Sequence, residues 1–301
     1  MTGELAGLRV AVTRSRDRAG TLADALAAAG AEPVLVPLID FEVGDNHLLG
    51  PSLNRLRAGE YAWLVISSIT TVRALKQWCE AEGTVLAELV PPGTRVATIG
   101  PTSVAVLAGE GIHAELAPVD VQSAAGLVAL WPGFPADDGG PDRGGNARVL
   151  LPQSNLAEPT LADGLAAKGW TPETVTAYRT VDYPADPALR LTAALAHSRP
   201  EPGSGSYPLL TPADAAGEVR AGAVNAVVLA SGSAARRVAA TLAPLPESCL
   251  VVAIGQPTRA EAARLGLRIA ATAEHPTPAG IVAALAAAVQ QTAPSTTGEM
   301  T

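Results

Sequence analysis

The chain repeats itself. RVAVTRS at 9–15, followed by TLADALAAAG at 21–30, aligns without a gap on RVLLPQS at 148–154 followed by TLADGLAAKG at 160–169, and eight of those last ten positions are identical. A second unit, VISS at 65–68 with RVATIGPTSVAVLAGEGI at 95–112, resembles VLAS at 228–231 with LVVAIGQPTRAEAARLGL at 250–267. Its tail repeats as well, QSAAGLVAL at 122–130 against PTPAGIVAA at 276–284. Such self-similarity implies one supersecondary plan used twice. The unit order a, b, a′, b′ fits two similar α/β domains, built either as a+b with a′+b′ or with partners exchanged, as b+a′ and a+b′. The repeats alone do not choose between these.

Within each repeat, short β-rich apolar runs alternate with longer Ala- and Leu-rich stretches at helical spacing, the pattern of α/β units around a parallel sheet. The expected strands are RVAVT 9–13, PVLVPL 33–38, AWLVIS 62–67, RVATIG 95–100, RVLLP 148–152, ETVTAY 173–178, AVVLAS 226–231 and LVVAIG 250–255. In the first helix Leu22, Ala25, Leu26 and Ala29 recur at i, i+3, i+4 and i+7, and Gly30 stands where a C-terminal cap belongs. GFPADDGGPDRGG at 133–145 and HSRPEPGSGSYP at 197–208 read as solvated loops, and a flexible tail is expected over 291–301.

Composition removes several classes of function. A net charge of −8 argues against a generally basic nucleic-acid surface. No apolar run approaches the roughly 20 residues that span a bilayer, and the start of the sequence lacks a signal-peptide pattern, so a cytoplasmic protein with no membrane partner is expected. Cys79 and Cys249 are far apart and read as small buried hydrophobes. His47, His113, His197 and His275 are isolated, so no metal site is expected. Ten aromatic residues (four Trp, four Tyr, two Phe) leave few platforms for a flat cofactor.

Ligands of parallel sheets bind at the carboxyl ends of the strands, where the next helix offers unpaired N–H groups and the positive end of its dipole. Here those ends carry small hydroxyl residues: Thr13-Arg14-Ser15, Ser67-Ser68-Ile69-Thr70, Gly100-Pro101-Thr102-Ser103, Pro152-Gln153-Ser154-Asn155, Ser231-Gly232-Ser233 and Gly255-Gln256-Pro257-Thr258. Each hydroxyl can serve simply as a helix cap, yet six such turns on two repeats form a set of anion cradles for carboxylate or phosphate. No turn matches GxGxxG, GxxxxGK[ST] or GxSxG, which disfavours a sugar-nucleotide transferase or a serine hydrolase.

The segments LRVAVTRS, VPLIDFEV, VISSITTVRAL, VATIGPTSVAVLAGEGI, VLLPQSNLAEPTLADGL, VTAYRTVDYP, VVLASGSAARRV, VAIGQPTRAEAARLGLRI and AEHPTPAGIVAAL resemble uroporphyrinogen-III synthases, in order and over nearly the whole chain. The resemblance implies an α/β fold of two similar parallel-sheet domains joined by a two-stranded linker, with the ligand cleft between them. It selects the exchanged pairing. A discontinuous domain over 1–38 plus 183–290 and a contiguous one over 44–176 are expected, with linkers at 39–43 and 177–182.

The activity implied is cofactor-free cyclisation of hydroxymethylbilane, a linear tetrapyrrole with eight carboxylates, to uroporphyrinogen III with loss of water and inversion of the last ring. Tyr178 matches the family's linker-adjacent tyrosine and is the candidate proton donor. Thr258 and Ser103, equivalent in the two repeats, lead the candidate substrate contacts, followed by Ser68, Ser231 and Ser233, with Thr70, Thr102, Ser154 and Asn155 in the same turns. Arg14 is a candidate carboxylate partner, and Gln153 is its repeat equivalent. Gln153-Ser154 stands where many members have a basic residue followed by glycine. A monomer is expected, with at most transient contact with the deaminase that supplies the substrate. The competing expectation is a non-catalytic tetrapyrrole- or anion-binding regulator with the same fold.

Overall fold

Every apolar run forms a strand, but five of the eight end before the hydroxyl or glycine residues at their carboxyl ends, because those residues leave the ladder to start the next turn or helix, and the run 33–38 stops at Leu35, ahead of Pro37. The computed structural model describes residues 3–134, 146–196 and 207–292. Most of the two expected loops and of the tail therefore lies outside the described residues. The strands are β1 (Arg9–Val12), β2 (Glu32–Leu35), β3 (Ile39–Val43), β4 (Trp63–Ile66), β5 (Arg95–Thr98), β6 (Arg148–Ser154), β7 (Thr171–Asp182), β8 (Ala226–Leu229), β9 (Leu250–Ala253) and β10 (Ala271–Thr272).

The strands form two five-stranded sheets, β10-β9-β8-β1-β2 and β3-β7-β6-β4-β5. The first sheet therefore joins repeat a to b′ and the second joins b to a′. Correspondingly, the chain divides into two compact units, one of Met1–Asp40, Asp182–Pro184 and Arg199–Thr301, the other of Phe41–Val181 and Ala185–Ser198. The expected linkers 39–43 and 177–182 are strand: β3 and the carboxyl half of β7, neighbours in the second sheet. Residues 185–196, which the expected boundaries assign to the discontinuous domain, pack with the second unit. The reason is local hydrogen bonding: Val43 N donates to Leu189 O at 2.8 Å, Leu191 N to Phe41 O at 2.8 Å, and Arg73 Nε to Ala193 O at 2.9 Å.

In each unit helices cover both faces of the sheet, which explains why the strands are almost wholly apolar. Val10, Val12, Val228 and Val252 face the helices Gly20–Ala28 and Pro278–Thr292, while Ala11, Val34, Val227 and Val251 face the other side. In the second unit Leu64, Ile66 and Leu150 face one core, and Trp63, Val65 and Val149 share the other with Trp131 and Trp170. Both cysteines are buried and unpaired, and burial pushes each thiol up to about 11, so neither is a thiolate at neutral pH. Among the described residues no helix is long and apolar enough to cross a membrane.

The repeat extends to helix termination. Gly30 and Gly169, equivalent in a and a′, end their helices at φ +94° and +87°, a region where a side chain is strained. At Gly30 an added Cβ also meets the Cα of Gly3 at 3.1 Å. Gly30→Ala is expected to lower unfolding free energy by about 1–2 kcal/mol, measured by urea denaturation; an unchanged midpoint would show that this turn relaxes freely.

An ionic cluster closes the amino ends of β6 and β7. Glu173 pairs with Arg55, accepts from Arg148 Nη2 at 2.9 Å and from Ser52 Oγ at 3.1 Å, and Arg148 also lies 4.7 Å over the Tyr61 ring. Burial alone raises the Glu173 carboxyl, but hydrogen bonds from Arg148, Tyr61 and Ser52 and the charge of Arg55 outweigh it and hold the group below its ordinary value. A carboxyl lowered on folding stabilises above its unfolded pKa, about 4.3, and that contribution is lost as pH falls through the folded value. Glu173→Gln should therefore flatten the acid side of the Tm–pH curve below about pH 4.3, and an unchanged slope there would remove the cluster as its source.

Candidate functional site

Each sheet has one place where the chain reverses its direction of travel. In the first, β1 leads outward to β2 while its other neighbour β8 leads the opposite way to β9 and β10. In the second, β4 leads to β5 while its neighbour β6 leads the opposite way to β7; β3, which precedes β4 in the chain, lies beyond β7. Two crossover helices diverge from such a point and leave a crevice at the carboxyl ends of the two strands, the usual ligand position of open parallel sheets. The repeats place equivalent segments there: the ends of β1 and β8 in one unit, of β6 and β4 in the other.

In the first unit the crevice is fastened by Thr13, whose buried Oγ1 donates to Val228 O at 2.6 Å. The turn of half-buried Arg14 therefore follows a β1 end tied to β8, the strand that runs on to Ser231 and Ser233. Ser231 caps the helix Gly232–Thr241, its Oγ accepting from Ala234 N at 3.1 Å and lying 2.9 Å from Ser233 Oγ. One strand further on, Thr258 occupies the first turn of the helix Gln256–Arg264.

In the second unit Ser68 caps the helix Ile69–Ala81, its Oγ accepting from Thr70 N at 3.0 Å. That same Oγ accepts a hydrogen bond from the Tyr178 hydroxyl at 3.4 Å. Tyr178 is 8% exposed, and Phe41 of β3 holds its ring edge-on at 5.8 Å. The β6–β7 register slips between Gln153 and Ser154, which shifts Ser154 from opposite Ala177 to opposite Tyr178. Asn155 spans the slip: its N donates to Tyr178 O at 3.1 Å and its Oδ1 accepts from Thr180 N at 2.8 Å. Ser154 Oγ accepts from Leu156 N at 3.2 Å, and Gln153 is half-buried on the strand. Tyr178, Ser68, Thr70, Ser154 and Asn155 are thus joined by direct bonds.

Ser103 and Thr258 differ from the capping serines. Each is the third residue of its helix, following Gly100 or Gly255, and they are 8% and 5% exposed, whereas Thr102 is exposed. Neither hydroxyl has a hydrogen-bond partner among the described residues. A cavity opens beside each turn. The one in the first unit, about 670 Å³, is lined by Gly255, Gln256, Thr258, Thr272 and Glu274; its counterpart, about 300 Å³, is apolar, lined by Pro101, Val104, Ala108 and Val119. Equivalent positions thus present polar groups in one repeat and hydrocarbon in the other.

The strand-end turn expected from sequence stops at Ser15, although the chain continues through Arg16-Asp17-Arg18 as a short 3₁₀ turn. The available signal is the divergence of the repeats, RSRDR at 14–18 against QSNLA at 153–157. Phe41 is also missed, because it belongs to a segment expected only to connect the domains.

A sequence model of a known family, uroporphyrinogen-III synthase HemD, matches residues 20–283. The chain belongs to the uroporphyrinogen-III synthase family. A porphyrin biosynthesis protein HemD from Ruminiclostridium josui is 28% identical over 119 residues, which is 39% of this chain and 23% of that longer protein. Two solved structures share the fold. A mutant uroporphyrinogen III synthase from Thermus thermophilus aligns with a TM-score of 0.55 at 16% identity, covering 95% of this chain and all of that one. A uroporphyrinogen-III synthetase from Helicobacter pylori aligns at 0.52 and 10% identity, covering 94% and 99%. At such identities only the α/β architecture carries over. The synthase family's two parallel sheets are present here, with a hydroxyl-bearing crevice in each.

Proposed function

We propose that this family member is a cofactor-free uroporphyrinogen-III synthase, a lyase that converts hydroxymethylbilane to uroporphyrinogen III. The observation that carries the reading is the Tyr178 hydroxyl hydrogen-bonded to Ser68 at the crevice of the second sheet, in a chain whose family acts on tetrapyrroles. Tyr178 protonates the departing hydroxyl as the carbon–oxygen bond of the terminal hydroxymethyl group breaks, so that water leaves and an electrophilic azafulvene remains. The substituted carbon of the last pyrrole then attacks this methylene, its original bond to the neighbouring bridge breaks to leave a second azafulvene there, and the free carbon of the same pyrrole bonds to that bridge, so the macrocycle closes with the ring inverted. The proton released when the final pyrrole regains aromaticity returns to the phenolate. Ser68 Oγ accepts from both Thr70 N and Tyr178, so it fixes the phenol and keeps its own proton free to follow the oxygen.

The carboxylates are taken by local donors: helix N–H groups at the strand ends, the unpartnered hydroxyls of Ser103 and Thr258, and Arg14. Because the azafulvene is intrinsically reactive, the protein contributes mainly positioning and exclusion of water. The test couples the purified chain to a hydroxymethylbilane-generating deaminase supplied with porphobilinogen, oxidises the products and separates the uroporphyrin isomers. Isomer III is expected. Isomer I alone, with the coupling enzyme working and the chain folded, would overturn the reading in favour of a non-catalytic tetrapyrrole-binding protein.

A further inference from the structure

We infer that Arg16 and Arg18, with Arg14, form a capture site for the carboxylates of a polyanionic ligand at the crevice of the first sheet; this rests on the function proposed above. Three of the chain's 21 basic residues fall within five positions here, with Asp17 the one acidic residue among them, so the segment is net positive in a chain of net charge −8. Its place is set by the fold. β1 ends at Val12, Thr13 ties that end to β8, and the segment follows directly as the 3₁₀ turn Arg16–Arg18 at the carboxyl end of β1.

Other arginines of this unit have carboxylate partners. On the adjoining helix Arg236 bonds Glu261 at 2.8 Å and Arg237 pairs with Asp182, and Arg264 shares Glu261 at 3.0 Å. By contrast, the side chains of Arg14, Arg16 and Arg18 make no hydrogen bond or ion pair among the described residues, and Arg16 and Arg18 are exposed. The equivalent turn of the second unit, Gln153 to Ala157, carries no cation. The first-sheet crevice thus has three guanidinium groups without a partner among the described residues, in a protein whose net charge repels anions at long range. A planar, fixed-charge fork is the side chain suited to carboxylate. The ligand class is therefore a molecule with several carboxylates, and the two crevices divide the work: one gathers charge, the other holds the phenol.

The experiment uses the full chain and two readouts, turnover in the coupled assay and binding of uroporphyrin III followed by fluorescence quenching. Arg16→Gln/Arg18→Gln is compared with Arg57→Gln/Arg220→Gln, a charge-matched pair of exposed residues away from both crevices. Because exposed ion pairs are individually weak, the double variant should raise KM and the uroporphyrin Kd by about fivefold together, with kcat retained. Its Kd should also depend less steeply on KCl than that of the wild type. Equal Kd and salt dependence in the two double variants would overturn the inference. A wild-type chain that makes no isomer III would instead overturn the functional reading, whatever the arginines bind.

Discussion

Tyr178→Phe is expected to lower kcat about a hundredfold while KM and thermal stability stay near wild type, since a positioned general acid contributes at least that factor. The substitution is nearly isosteric. The ring keeps its edge-on contact with Phe41, and the single hydrogen bond lost, at 3.4 Å to Ser68, is long and therefore weak. Ser68 keeps its cap on Thr70 N, so the helix behind it is undisturbed. Steady-state kinetics in the coupled assay, with uroporphyrin isomers quantified, would separate the outcomes. A large loss in kcat with isomer III still the product fits a proton donor. An unchanged kcat would remove Tyr178 from the chemistry and leave leaving-group departure to the substrate itself.

Gly44→Ala is expected to be the most damaging conservative change near this crevice, costing about 2–4 kcal/mol of stability, the scale of overpacking against atoms that cannot move alone. The backbone of Gly44 is so close to β7 that an added Cβ would lie 1.9 Å from Thr176 O, and Gly44 N donates to Ala177 O at 2.9 Å. The obstacle is backbone rather than the tip of a side chain, so β3 and β7 must separate to admit the methyl group. That separation displaces the residues on either side, Phe41 and Tyr178. A fall in the urea midpoint together with a rate loss resembling that of Tyr178→Phe is the expected pair of results. Wild-type stability would show that the two strands part easily and that the close approach constrains nothing.

Much of the architecture was legible because its signals are local or repeated. The apolar runs fixed the strands, Gly30 and Gly169 marked helix ends, and the order a, b, a′, b′ narrowed the topology to two arrangements. The resemblance to the synthase family selected between them, and the sheet orders have the exchanged form. The candidate turns were also readable, since strand-end hydroxyls followed by helices are visible in sequence. Contacts that depend on three-dimensional neighbours were not. No pattern in DPALRLTAALA shows that it lies along β3, because its attachment is made by Arg73, Gln77 and backbone groups more than a hundred residues away. The register slip at Gln153 likewise leaves no composition mark, yet it decides that Ser154 sits opposite Tyr178.

The exchanged pairing has a consequence for how the chain is made. β1 and β2 emerge first, but the central partner of β1 is β8, whose residues 226–229 follow the whole of the second unit. On the ribosome, the first two strands must wait through some two hundred residues of synthesis with one edge of β1 unpaired, while the second sheet has all of its strands once Asp182 is out. The unit that begins last therefore finishes first. The earliest strands of the chain spend most of translation as an apolar edge in need of protection, a period during which pairing with another nascent copy competes with the native partner.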